Sequence, residues 1–134
     1  MNNKNLPLSL RILAILLFLF GIFAFLGSLF LWGEGFLFSF PEGVNVAFPL
    51  TDILINAPAS ILTAFGLWYL KRFAYPASQF VAGFYIYASV YIFTEVLQEG
   101  PPYPVEIVFP QILAVIVAIA LILYGWRYQQ LFQK

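Results

Sequence analysis

The sequence predicts an all-α membrane protein: four transmembrane helices in an antiparallel bundle, with a short β-hairpin or an interfacial segment in the first outer loop. Three observations carry this expectation. Of 134 residues, 63% are apolar and only 9% are charged, where soluble domains average about 45–50% and 25%. A soluble domain of this size buries only about 60–70% of the surface its unfolded chain exposes, so a water-soluble monomer is excluded. Apolar runs close to the ~20 residues that cross a bilayer core recur four times. The charges, finally, divide by sign between the two sides those runs define.

The runs cover residues 10–32, 52–70, 73–97 and 105–126, and one four-helix domain, 1–134, accommodates them all. The first is apolar except for Arg11 and Ser28. It is longer than a signal-peptide core of about 7–15 residues, and Gly33-Glu34-Gly35 is a poor cleavage site, so it reads as a retained span. Lys71-Arg72 closes the second. Pro76 sits in the first turn of the third, where proline is tolerated. Pro101-Pro102-Tyr103-Pro104 separates the third from the fourth, because no helix continues through such a run. Pro58 falls inside the second run, where it removes a backbone hydrogen bond and bends the helix.

With four spans, Lys4, Arg11, Lys71, Arg72, Arg127 and Lys134 fall on one side. Glu34, Glu42, Asp52, Glu95, Glu99 and Glu106 fall on the other. Chance would divide the charges this way roughly one time in nine hundred, and the positive-inside rule places both termini in the cytoplasm. The expected location is the cytoplasmic membrane. Trp32 at the outer end, and Trp68, Tyr69, Trp126 and Tyr128 at inner ends, suit the aromatic belts of the two interfaces.

Residues 33–50 form the first outer loop. Two β-prone runs, 36–40 and 44–48, flank Pro41-Glu42-Gly43 and read as a hairpin. An isolated hairpin is marginal in water, so it would lie on the membrane surface, on the protein's own helices or on a partner. A short interfacial segment is the other reading.

Missing residues restrict the chemistry. With no Cys and no His, thiol catalysis, disulfides and imidazole acid–base or metal chemistry are excluded. No basic run suits nucleic acid and no glycine-rich loop suits a nucleotide. The expectation is a non-enzyme without a cofactor, a metal or a catalytic residue.

The polar groups within the spans form two stripes. Asp52, Asn56, Ser60 and Thr63 share one face of the second span. Gln79, Gly83, Tyr87, Tyr91 and Glu95 recur at steps of four in the third. Asp52, Asn56, Tyr87, Tyr91 and Glu95 are therefore the candidate lining of a shallow polar vestibule opening outward, or a network of interhelical hydrogen bonds. An ionisable group in a membrane span is a functional hypothesis by default. On the structural reading Asp52 caps the second helix and Glu95 bonds to a neighbouring helix. Glu95, Glu99 and Glu106 form a further acidic cluster, without the EF-hand spacing for Ca²⁺. Gly21, Ala24 and Ser28, then Ala57, Ser60 and Ala64, then Ala114, Ala118 and Gly125 offer small-residue faces for close helix packing.

Leu6-Pro7-Leu8-Ser9-Leu10-Arg11-Ile12-Leu13-Ala14-Ile15-Leu16, followed by Gly21-Ile22-Phe23-Ala24 and Gly27, resembles a loose group of small prokaryotic four-helix membrane proteins. The resemblance covers the first quarter of the chain and implies a bacterial or archaeal membrane location, with no activity attached. The expected role is structural or accessory, packing with a larger membrane complex or with a second copy; the expected partners are that complex and the lipid bilayer. A small oligomeric transporter or channel is the alternative. The first span, however, lacks the deep carboxylate of four-helix multidrug exporters.

Overall fold

The structure is a computed structural model and describes residues 6–33, 50–103 and 105–133, the side chains of 31–33, 106 and 107 excepted. Every regular element among these residues is helical. They are α1 (Leu8–Gly33), a π-turn (Asp52–Asn56), α2 (Ala57–Trp68), α3 (Ala74–Glu99), α4 (Val105–Arg127) and a closing 3-10 turn (Gln129–Phe132). α1, α3 and α4 are long and apolar enough to cross a membrane. The π-turn and α2, five and twelve residues, lie at the short end of the ~17–25 a span requires. The hairpin or interfacial segment expected in the first outer loop lies outside the described residues, as does the Trp32 side chain.

The chain divides into two compact units, Met1–Tyr69 and Leu70–Lys134. In the first, α1 and α2 pack antiparallel. Small residues set the crossing: a Cβ on Gly21 would stand 2.6 Å from Ile61 Cγ1 and 3.1 Å from the Ala57 carbonyl oxygen. Leu10, Leu13, Ala14, Leu17, Gly21, Ala24 and Ser28 are buried along α1, a spacing of three and four that faces one partner. Ala57, Ser60, Thr63, Ala64 and Leu67 are buried on α2. The small faces read from the sequence on these two helices are the buried ones, and leucines fill the seam between them. Phe18 meets Phe65 edge-on, with centroids 6.0 Å apart.

In the second unit α3 and α4 pack antiparallel by the same logic. Ala74, Ser78, Val81, Ala82, Tyr85, Ser89 and Val96 are buried on α3. Val117, Ala118, Leu121 and Gly125 are buried on α4, whereas Ala114 is half-buried. Gly125 leaves room for the Gln79 amide, whose Nε2 lies 2.7 Å from where a Cβ would be.

One expectation about the second span is refined and one is corrected. Pro58 stands in the first turn of α2, but helix already runs from Leu50, so its missing N–H leaves one backbone bond unmade, as expected. The interruption takes the form of a π-turn: the Ala57 N–H bonds to the Asp52 carbonyl, five residues back. Asp52 does not cap the helix, because Leu50 and Thr51 are already helical and its carboxylate bonds to a side chain.

The connections end abruptly for local reasons. After α2 the chain turns at Leu70, whose φ of +50° is uncommon for a residue with a Cβ. α3 ends at Gly100 (φ 78°, ψ −179°), a region essentially reserved for glycine.

Candidate functional site

Asp52, Asn56 and Ser60 form a ladder. Asn56 Nδ2 donates to Asp52 Oδ1 at 2.8 Å, and Ser60 Oγ donates to Asn56 Oδ1 at 3.0 Å. Spacing of four residues puts the three on one helical face. The π-turn lies between the first two without breaking their contact. Each donation runs back along the helix, and the last, from Asn56, leaves Asp52 as the terminal acceptor of the ladder. The next polar group on this face, Thr63, is fully buried and its Oγ1 has no hydrogen-bond partner. Pro58 brings no N–H to the carbonyls one turn before it, so this end of the unit is rich in oxygen acceptors.

The candidates on α3 belong to the second unit. Tyr87 is 70% exposed and Tyr91 38%, while Glu95 is half-buried. Gly83, on the same stripe, faces open space. Gln79, at its start, turns to α4: its Nε2 donates to the Leu121 carbonyl at 3.5 Å and to Ser78 Oγ at 3.4 Å. The structure therefore brings together Asp52 and Asn56 and places Tyr87, Tyr91 and Glu95 on one face of a different helix. Among the described residues no three acidic side chains gather around a cation; the Glu106 side chain lies outside them.

A second polar contact joins α3 to α4 at Ser89, which lies off the Gln79–Glu95 stripe. Ser89 is fully buried; its Oγ lies 3.2 Å from Gln111 Oε1 and 3.3 Å from the Gln111 carbonyl oxygen, with both as acceptors. A signal for it exists in the sequence. Ala74, Ser78 and Ala82 recur every four residues with Ser89 two turns on, the small-residue pattern of close helix contact in membranes.

A second feature lies between α1 and α2 at the end that carries Arg11 and Trp68. A cleft of about 280 Å³ is lined by Ala14, Ile15, Phe18, Leu19, Ala64, Phe65, Trp68 and Tyr69. Its lining is almost wholly apolar.

No protein-family model, curated protein or solved structure matches the chain. Function therefore has to be argued from these sites alone.

Proposed function

We propose that the protein is a four-span membrane protein of the cytoplasmic membrane, with both termini in the cytoplasm and a structural or accessory role. In this reading it packs with a larger membrane complex or with a second copy and performs no chemistry. The observation that supports this is where the polar side chains go. Ser89 bonds to Gln111, Gln79 to Leu121, Ser78 to the Tyr75 carbonyl and Asn56 to Asp52. Such bonds join turns and helices; they do not converge on a reactive centre. Large apolar side chains such as Phe23, Phe30, Leu54, Val105 and Trp126 meanwhile stay exposed, as surfaces facing lipid or another helix do.

The test is extraction in a mild detergent at native expression, followed by a mass measurement on the intact particle. The reading expects a particle clearly heavier than one 15.2 kDa chain plus its detergent, carrying either a larger partner or further copies. A lone chain with a turnover activity overturns it.

The Asp52–Asn56–Ser60 ladder supports a second reading, a small oligomeric transporter or channel whose outward vestibule is lined by Asp52, Asn56, Tyr87, Tyr91 and Glu95. A cation-dependent rise in melting temperature that Asp52→Asn removes would favour it over the accessory role.

A further inference from the structure

We propose that the cleft between α1 and α2 binds one acyl chain of an anionic glycerophospholipid, with the headgroup phosphate held at Arg11. The inference rests on the membrane-spanning reading above.

The cleft follows from the residues on either side of a close contact. Ala14 on α1 and Ala64 on α2 are 2% and 4% exposed, and they form the floor. Ile15, Phe18 and Leu19 rise from one helix and Phe65, Trp68 and Tyr69 from the other. The edge-on Phe18–Phe65 pair lines the cleft from both helices. An unfilled groove forfeits the dispersion contacts of its walls, so a linear apolar occupant is favoured. A whole helix, about 10–12 Å across, is too wide for about 280 Å³.

The polar groups are confined to one end. Of the lining residues, only Trp68 and Tyr69 carry a hydrogen-bonding side chain, and such rings settle at headgroup depth. Arg11 precedes Ala14, Ile15 and Phe18 by three, four and seven residues, which puts it on their stripe of α1. It is the only charged residue of Leu8–Gly33. Arg11 already makes an interaction within the chain, and a guanidinium with five N–H donors has capacity for phosphate as well. An apolar body with a cation at the mouth complements a lipid with an anionic head.

Trp68 is the reporter. The full chain carrying Trp32→Phe and Trp126→Phe is reconstituted in phosphatidylcholine vesicles. Part of the lipid is then replaced by phosphatidylglycerol or by phosphatidylcholine, each brominated on its acyl chains. Trp68 should report about fivefold enrichment of the anionic lipid, the effect of one cation close to an anionic headgroup. Arg11→Gln should abolish the preference while leaving quenching by the neutral lipid unchanged, and Arg11→Lys should retain part of it. Equal quenching by both lipids, or a preference untouched by Arg11→Gln, overturns the lipid site and leaves the membrane reading intact. A chain that does not enter the vesicles, with Trp68 quenched by neither lipid, overturns both.

Discussion

Thr63 shows how a single side chain is set by its surroundings. A helical threonine often bonds back to the carbonyl four residues earlier, as Thr94 does to Val90 at 2.8 Å. Thr63 makes no such bond although it is fully buried. A buried hydroxyl without a partner carries a penalty of about 1–3 kcal/mol. Thr63→Val keeps the shape and removes that group, so it should stabilise the protein by about 1 kcal/mol, read as a higher melting temperature in detergent. Ser60→Ala, one turn earlier, should do the opposite, because it leaves Asn56 Oδ1 without its donor. Leu70 and Gly100, both at positive φ, make a second pair. Gly100→Ala should destabilise by about 1–3 kcal/mol, since alanine is poorly tolerated in that backbone region. Leu70→Gly should stabilise by about 1 kcal/mol through relief of the left-handed backbone. Thermal unfolding of the two variants measures both.

At the scale of elements, the close crossing of α1 and α2 distinguishes two glycines on one helix. Gly21→Ala drives a methyl into Ile61 and the Ala57 carbonyl and should cost about 1–3 kcal/mol. Gly27→Ala meets nothing within 4 Å and should gain about 0.5–1 kcal/mol of helix propensity. Equal effects would mean that Gly21 does not mark the contact. The sequence carried most of this level. The four helical segments were readable from apolar length, and the faces of α1 and α2 from small residues at steps of three and four. The ladder was readable because Asp52, Asn56 and Ser60 are polar in an apolar run. The start of the second helix was not: nothing in Leu50-Thr51-Asp52 signals that helix begins before the aspartate. Pro58 was legible as an interruption, but periodicity alone does not anticipate that it takes the form of a π-turn. On α3 the tyrosines and Glu95 drew attention away from Ser78 and Ser89, small groups whose role depends on which side of the helix α4 occupies.

For the whole molecule the sharpest prediction concerns orientation. All six basic residues lie on one side of the proposed spans and all six acidic ones on the other. A reporter enzyme active only outside the cytoplasm should be silent when fused after Lys134 and active when inserted at Gly43. Swapped results would invert the topology. Such a measurement reads the chain directly and does not depend on what the protein does.

The division into two units has a consequence for how the chain comes to be folded. The packing of α1 lies against α2 and that of α3 against α4, so every helix within a unit closes on its neighbour in sequence. Domains built from such near contacts reach their structure quickly, because little chain entropy is surrendered before the first contact forms. Tyr69 ends the first unit, so its packing surfaces have all been synthesised before Leu70 is added. During translation at about 5–20 residues per second, the first helical pair has seconds to close while the second is still emerging.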